Sequence, residues 1–269
     1  MLIITSFNEN LLNQYGERMV QEFSEKSDGS VKLAVIYEAQ DLPKINLKNI
    51  EFVKFNHAGH HEFMQKFGHL HEANGLRLNF LPDGQVSSIY HDFKFDAVKF
   101  SFKIFSLLQA LEQFKPVDYF AWLDADIRCL KNFSKSELLP FFPHENQLMS
   151  YLGRTNTPIT GAYSECGFLG FNNQHPLVYD FLNGVANTYQ NGEIFAHEQW
   201  HDSWIWDQIR HVFENRNIEF RNISGVAAST DHPFINTDLG KFFDHLKGPE
   251  RKKSGHSFEE DYEFKDKIE

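Results

Sequence analysis

Two carboxylates spaced two residues apart follow a long apolar run near the middle of the chain. Residues 119–123 are Tyr, Phe, Ala, Trp and Leu, and Asp124 and Asp126 come directly after them. An apolar run of this length predicts a strand buried on both faces of a mainly parallel sheet. Such a strand leaves the core at its carboxyl end, where open α/β sheets bind ligands. Because carboxylate oxygens are preferred ligands of Mg²⁺ and Mn²⁺, the pair is a candidate metal site. The alternative is a strand-end turn in which the aspartates cap backbone groups.

Two lysines precede this strand on one face of a predicted helix. Residues 96–114 carry apolar side chains at helical spacing, and Lys99 and Lys103 are four residues apart within them. Because the helix comes immediately before the strand, either ammonium group could reach a phosphate bound beside the carboxylates. The alternative is that both lysines lie on a solvated helix face.

The elements that must position these side chains alternate between strand and helix. Residues 1–7, 31–37 and 50–55 predict strands, and a helix follows residue 10. A strand, a helix and a second strand form a parallel unit, so the loops after residues 7 and 37 open on the same edge as the aspartates. Further strands are predicted near 147–152 and 163–172, and helices over 176–191 and 198–213. We therefore expect an α/β fold with a mostly parallel twisted sheet and helices on both faces.

Later segments add further candidates. Glu165 stands just before an apolar stretch broken by Gly167, and glycine in a strand admits close approach of another group. A carboxylate there is either a site residue or an edge residue in water. Asp202, Ser203 and Trp204 lie at the start of a predicted helix. The first two could cap that helix, and the tryptophan could stack on a sugar or belong to a core cluster.

Composition and charge exclude several classes of protein. The net charge of −11 argues against a general nucleic-acid binder, which would present a basic surface. No apolar run approaches the ~18 residues of a membrane span, and the first residues lack the features of a signal peptide. Two cysteines, Cys129 and Cys166, are too few for a disulfide framework. We expect a cytoplasmic protein.

Five histidines lie close together between residues 57 and 71. A zinc site is one interpretation of this cluster, and an exposed polar helix or loop is the other. The second is favoured because no further cluster completes a ligand set. The five are His57, His60, His61, His69 and His71.

A second motif near the carboxyl end strengthens the interpretation of the two aspartates as a metal site. Residues 245–251 read His-x-x-Gly-Pro-x-Arg, and they follow the Asp124-x-Asp126 pair in the chain. Together the two motifs resemble those of nucleotide-sugar glycosyltransferases with the GT-A fold. The nearest likeness is to the retaining family that contains glycogenin and lipooligosaccharide galactosyltransferases. That family has lysine where this chain has Arg251.

The resemblance implies a role for each matching residue. Asp124, Asp126 and His245 would hold Mn²⁺ or Mg²⁺. Gly248 would let the backbone approach a diphosphate, and the guanidinium of Arg251 would bind it through two parallel hydrogen bonds. Lys103, with Lys99 beside it, lies near the place where the family has a basic residue.

The remaining candidates follow from the same resemblance. Asn8 and Glu38, in the loops after the first two strands, would contact the base and ribose of the donor. Glu165 and Asp202 are the candidate catalytic residues near the anomeric carbon or the acceptor hydroxyl, although the family has asparagine in place of the glutamate. Ser203 and Trp204 are candidates for acceptor binding.

The sequence thus predicts a metal-dependent glycosyltransferase. Its donor would be a nucleotide sugar, with UDP the expected nucleotide, and its acceptor a glycan or glycolipid, with retention implied by the resemblance alone. We expect one catalytic domain over residues 1–250 and a charged tail over 251–269. A nucleotidyltransferase is one alternative, but it would normally carry a glycine-rich loop after the first strand, where this chain has Asn8-Glu9-Asn10. A non-catalytic sugar-binding module on the same fold is the other.

Overall fold

A computed structural model describes residues 1–155 and 163–263. The Thr, Asn and Pro residues of 153–161 predict a loop, and most of that segment lies outside the described residues. The strands follow the order predicted for an α/β fold. They are β1 (Leu2–Phe7), β2 (Lys32–Tyr37), β3 (Ile50–Lys54), β4 (Leu76–Phe80), β5 (Val86–His91), β6 (Tyr119–Leu123), β7 (Ile127–Cys129), β8 (Gln147–Leu152), β9 (Glu165–Asn172), β10 (Glu219–Asn222) and β11 (Phe243–His245).

The helices alternate with these strands, and several are only one or two turns long. A five-residue π-helical stretch joins the first two helices. The α-helices are α1 (Glu9–Leu11), α2 (Glu17–Lys26), α3 (Ala58–Phe67), α4 (Ala97–Gln113), α5 (Lys135–Leu138), α6 (Val178–Gln190), α7 (Asp202–Glu214), α8 (Pro233–Asn236) and α9 (Gly248–Ser254). Among the residues described, no helix combines the length and the hydropathy needed to cross a bilayer.

Seven strands form the central sheet in the order β10-β8-β9-β6-β1-β2-β3. The neighbours β6, β1, β2 and β3 are parallel, whereas β9 runs antiparallel to both β6 and β8. The predicted mostly parallel sheet is therefore confirmed. Because β1, β2 and β6 run in the same direction, their carboxyl ends meet at one edge, which is where Asp124 and Asp126 lie.

Helices cover both faces of this sheet, and alternate residues of each strand supply the two halves of the core. On β6, Phe120 and Trp122 point into the half that contains α4, α6 and α7. Ala121 and Leu123 point into the other half, which contains α2 and the segment around β11. This two-sided burial explains why β6 reads as a continuous apolar run rather than as an alternating one.

The sequence of residues 75–84 predicts irregular structure, but the structure places a β-hairpin over residues 76–91. Strands β4 and β5 pair antiparallel outside the main sheet, and most of their apolar side chains are exposed. With no buried face, the segment lacks the strong alternating pattern that identifies a half-buried strand, so its pairing was missed.

The carboxyl-terminal segment packs back onto the sheet edge. Strand β11 pairs antiparallel with β7, which places His245 opposite Ile127. Beyond it, Ser257 is buried and hydrogen-bonds to Asp244. The predicted boundary at residue 251 falls inside α9, and residues 264–269 lie outside the part described.

Candidate functional site

A cavity of about 570 Å³ opens at the carboxyl edge of the sheet. One end is lined by Asn8 and Glu38, which follow β1 and β2, and the other by Lys103 and Asp202. Asp124 and Asp126 lie between the two ends. The volume falls in the range of small-molecule sites, and the place agrees with the general rule for ligands on open α/β sheets.

Asp124, Asp126 and His245 converge on one point beside this cavity. Nε2 of His245 lies 3.6 Å from Oδ2 of Asp124 and 3.4 Å from Oδ1 of Asp126. One ligand atom from each residue can be chosen so that all lie within 4.8 Å of one another. The other oxygen of each carboxylate is bound elsewhere. Two carboxylates and one imidazole fit a divalent ion such as Mn²⁺, and the cavity side remains open to phosphate oxygens.

Two features of the backbone bring His245 to the aspartates. The ladder between β7 and β11 sets the register, and the amide of Leu246 donates to the carbonyl of Asp126 over 2.9 Å. Gly167 on β9 then leaves room for the ring, since a Cβ atom there would lie 2.7 Å from Cε1 and Nδ1 of His245. The prediction that Gly167 permits close approach is explained by this side chain.

The second nitrogen of His245 faces Glu165. Nδ1 lies 2.9 Å from Oε1 of that glutamate, which is 3% exposed. Burial opposes a charge on His245, but Asp126 and Glu165 outweigh it and raise the pKa of His245 to about 9. An ionised carboxylate only accepts hydrogen bonds, so Nδ1 donates its proton to Glu165. Near neutral pH Nε2 is protonated as well, and an ion bound there would displace that proton, because Nε2 is the nitrogen that faces Asp124 and Asp126.

Glu165 is a candidate catalytic residue from the sequence, but it does not line the cavity. It is buried behind the three candidate metal ligands, between Lys247 at 2.8 Å, His232 at 3.2 Å and Arg154 at 3.4 Å. Burial opposes its charge, but the cation of Lys247 and the hydrogen bonds from its histidine neighbours hold the pKa of Glu165 well below its usual range. Lys247 and His232 are distant from Glu165 along the chain, so local sequence patterns do not predict these contacts.

Lys103 joins the two carboxylates at the other end of the cavity. Its Nζ atom lies 2.5 Å from Oδ2 of Asp202, 3.0 Å from Oδ1 of Asp124 and 2.8 Å from the carbonyl of Cys166. An ammonium group has three donors, so all three are used here. Lys103 therefore orients two carboxylates rather than offering a free charge to a phosphate. The indole of Trp122 donates to the same oxygen of Asp124.

Asp202 lies at the start of α7 and also lines the cavity. Burial alone would raise its pKa, but the charge and hydrogen bond of Lys103 hold the pKa of Asp202 below its usual range. Its Oδ1 atom accepts from the amide of Ser203. The side chain is thus ionised and held in place at the cavity wall.

The structure turns Arg251 away from the cavity and turns Lys252 toward it. Asp261 accepts two hydrogen bonds of 2.6 Å from the Arg251 guanidinium, which packs over Phe258. Nζ of Lys252 lies 2.7 Å from Oδ2 of Asp126. Consecutive residues on a helix point about 100° apart, so a motif one residue out of phase places a different side chain in the site. Lys252 was missed for this reason.

Gly248 is needed for its backbone conformation. Its φ angle is +82°, a left-handed conformation that glycine adopts without steric cost, and it begins α9. The turn leads into α9, which carries Lys252 to Asp126. Within the described ranges, no atom outside the immediate chain neighbours and the backbone of α9 lies within 4 Å of the position that a Cβ atom would take.

Four of the predicted donor-binding residues line the cavity: Asn8, Glu38, Lys99 and Lys103. Asn8 caps α1 by accepting from the amide of Leu11, which fixes its position at the end of β1. Burial raises the pKa of Glu38 to about 7. Lys99 is exposed at the cavity wall, in contrast to the buried Lys103.

Ser203 and Trp204 do not line this cavity. Trp204 is half-buried and packs against the core beside α7. This placement agrees with the core-cluster interpretation rather than with sugar stacking. His201, which precedes them, contacts the ring of Tyr163 at 4.6 Å and caps α7.

The histidine-rich segment forms no metal cluster within the described residues. Among the described residues, two groups of side chains could hold an ion, and both contain His245, which lies outside this segment. His60 is buried between the rings of Phe55 and Phe102, at 4.8 and 4.3 Å, rather than exposed. His57 caps the start of α3.

Solved structures of other proteins resemble the fold of this chain. No protein-family model matches the chain, and no curated protein matches it. An active-site mutant of LgtC has a similar structure, with a TM-score of 0.51, 13% identity, and coverage of 93% of this chain and 88% of the LgtC chain. LgtC is a galactosyltransferase.

Two further solved structures are similar over most of their length. One is a glycosyltransferase involved in glycosylation of the major capsid of PBCV-1, with a TM-score of 0.47, 12% identity, and coverage of 94% of this chain and 98% of that one. The other is mouse xyloside xylosyltransferase 1, with a TM-score of 0.44, 12% identity, and coverage of 82% and 84%. At these identities the likeness to LgtC establishes the fold, and it confirms the predicted GT-A architecture.

Proposed function

We propose that the protein is a metal-dependent glycosyltransferase that moves a sugar from a nucleoside diphosphate, with UDP the expected nucleotide, to a hydroxyl of a glycan or glycolipid. The observation that carries this proposal is the convergence of Asp124, Asp126 and His245 at the edge of a GT-A sheet. The cavity beside them extends from the ends of β1 and β2 to α7, so it can take a nucleotide at one end and a sugar at the other.

The reaction breaks a bond between a sugar and a phosphate, and negative charge grows on the leaving diphosphate. A divalent ion held by the two aspartates and His245 would supply positive charge to that diphosphate. Lys252 is the cation best placed to add a hydrogen bond to it, because its ammonium group already lies at Asp126. Lys99 lies exposed on the same cavity wall and can approach an anion without breaking an ion pair.

Asp202 is the residue we assign to the sugar end of the cavity. It is ionised and held in place by Lys103 at 2.5 Å. A fixed carboxylate there can accept hydrogen bonds from sugar hydroxyls and stabilise positive charge at the anomeric carbon. Its depressed pKa argues against a role as a general base, for which a pKa nearer the working pH is more effective.

Glu38 and Asn8 are the residues we assign to the nucleoside. An acidic side chain after the second strand of a Rossmann-like sheet is well placed to bind ribose hydroxyls. Retention of the anomeric configuration is part of the proposal on the strength of the motif resemblance, and nuclear magnetic resonance of the glycoside product tests it.

A thermal-shift panel tests the proposed donor site. Nucleoside diphosphates and nucleotide sugars are added with and without Mn²⁺, and ligands of the native state raise the melting temperature by mass action. We expect one nucleotide to raise it only when Mn²⁺ is present. If no nucleotide does so in the presence of the ion, the site is not a nucleotide-sugar site. The non-catalytic binding module then becomes the better interpretation.

A further inference from the structure

Glu165 occupies an unusual place beside the three candidate metal ligands. It is 3% exposed, it faces away from the cavity, and it contacts the nitrogen of His245 that is opposite the ligand-facing one. A carboxylate so placed cannot touch a bound sugar. The same position is suited to holding the imidazole ring.

We propose that Glu165 is a positioning residue for the metal site: it fixes the ring orientation and the tautomer of His245 so that Nε2 faces the ion. The inference rests on the metal site of the proposed function. Histidines that bind metals usually donate the other ring N–H to a carboxylate or a carbonyl, and these partners set the tautomer and strengthen the ligand.

The hydrogen bonds around Glu165 hold the carboxylate in one orientation. Oε1 faces both histidine rings, at 2.9 Å for Nδ1 of His245 and 3.2 Å for Nε2 of His232. Oε2 faces Nζ of Lys247 at 2.8 Å and accepts from the amide of Phe234 over 3.3 Å. Because both oxygens are engaged and the side chain is buried, the carboxylate is held against the ring.

Strand β9 thus provides two independent constraints on the same ring. Glu165 anchors Nδ1, and Gly167, two residues later on the same face, leaves the space that the ring fills. Lys247 also links the carboxylate to the segment between β11 and α9, close to Gly248 and Lys252. Glutamate at this position therefore connects the candidate ligand His245 to the segment that leads into α9.

The test measures Mn²⁺ binding by electron paramagnetic resonance on the whole protein without nucleotide. Glu165→Gln keeps an acceptor for the N–H of the ring but removes the charge, and Glu165→Met removes both. We expect affinity to fall about 10-fold for glutamine and up to about 100-fold for methionine, the range found for residues that support metal ligands. Unchanged affinity in either folded variant would overturn the inference.

A matched control separates positioning from general loss of stability. Asp207 is another buried carboxylate, and it pairs with Arg210 and Ser164 without contacting His245. We expect Asp207→Asn to lower the melting temperature while Mn²⁺ affinity stays within about 2-fold of the original. If it lowers the affinity as much as Glu165→Gln does, the effect of Glu165 is not specific and the inference fails.

A second readout needs no metal. In protein labelled with ¹⁵N-histidine, the Nδ1–H of His245 should give a downfield imidazole resonance that is protected from exchange. We expect Glu165→Met to abolish this resonance and Asp207→Asn to keep it. If the original protein shows the resonance but binds no Mn²⁺, the proposed function fails while the contact stands. If it binds Mn²⁺ and both Glu165 variants bind it equally well, only the positioning role fails.

Discussion

The ammonium group of Lys252 lies 2.7 Å from Oδ2 of Asp126, whereas the guanidinium of the preceding residue is bound by Asp261 on the other side of α9. The motif resemblance assigns the diphosphate to Arg251. We propose Lys252 instead, because of these two side chains only that of Lys252 lines the cavity. The two assignments make opposite predictions for two neighbouring residues.

Replacing Lys252 by alanine should weaken nucleotide binding, since a hydrogen bond to a charged group contributes about 1.5–3 kcal/mol, equivalent to roughly 10- to 100-fold in affinity. Isothermal titration of the nucleotide in the presence of Mn²⁺ measures the change. Arg251→Ala should instead lower the melting temperature, because the ion pair of Arg251 with Asp261 stabilises α9. The nucleotide affinity of this variant should stay within about 3-fold of the original. Lys253→Ala, an exposed neighbour, is the control. The reverse order of affinities would restore the assignment made from the motif.

The two lysines of α4 should differ sharply when each is changed to methionine. Removing Lys103 leaves the carboxylates of Asp202 and Asp124 without their shared cation, and loss of one partner of a buried ion pair costs about 3–5 kcal/mol. Chemical unfolding measures this free energy. Lys99 is exposed, so Lys99→Met should change stability by less than about 0.5 kcal/mol. Similar losses for both variants would contradict the role given to Lys103.

Gly167→Ala tests the space that β9 leaves for His245. The added Cβ atom would lie 2.7 Å from Cε1 and Nδ1 of the ring, so the ring must move away from the aspartates. We expect at least a 10-fold loss of Mn²⁺ affinity, by analogy with other changes that displace a ligand. Gly170→Ala is the matched control, because its Cβ atom would meet the Ser150 hydroxyl at 2.5 Å, away from the site. Equal metal affinities in the two variants would argue against this account.

The buried His60 should make the protein sensitive to acid. Burial lowers the pKa of His60 to about 3, so the folded state keeps the ring neutral while the unfolded state protonates it below about 6.5. The contribution to stability is therefore complete above pH 6.5 and is lost as the pH falls toward 3. At pH 5 the loss is about 2 kcal/mol relative to pH 7.

His60→Leu should remove this loss, so the free energy of unfolding of the variant should fall less between pH 7 and pH 5. His61→Gln is the control, since His61 is exposed on the same helix. Urea unfolding at the two pH values gives the comparison. If the original protein and His60→Leu lose the same free energy, His60 is not the source of the pH dependence.

The sheet and its functional edge could be predicted because they depend on local patterns. Apolar runs in the sequence predict strands β1, β2 and β6. Apolar side chains at helical spacing predict helix α4, which precedes β6. Parallel strands then put Asn8, Glu38 and Asp124 at one edge without further information. The confirmed fold therefore follows from residues near one another in the chain.

The contacts within the site could not be predicted in the same way. Glu165 contacts Lys247 and His232, which lie more than 60 residues away in the sequence. The periodicity of nearby residues therefore does not predict that Glu165 is buried. Whether Arg251 or Lys252 faces the cavity depends on how α9 is rotated about its own axis. That rotation is set by the turn at Gly248 and by the hydrogen bonds from Arg251 to Asp261, which lies beyond the motif. Tertiary partners, rather than local spacing, decide these roles.

The most direct test of the central claim is release of nucleoside diphosphate from the nucleotide sugar selected by the thermal-shift panel. It is measured with and without Mn²⁺ for the original protein, Asp126→Ala and His245→Ala. The account predicts metal-dependent release that both substitutions abolish while circular dichroism shows the fold intact. Full release by both variants would contradict the assignment of Asp124, Asp126 and His245 as the working site.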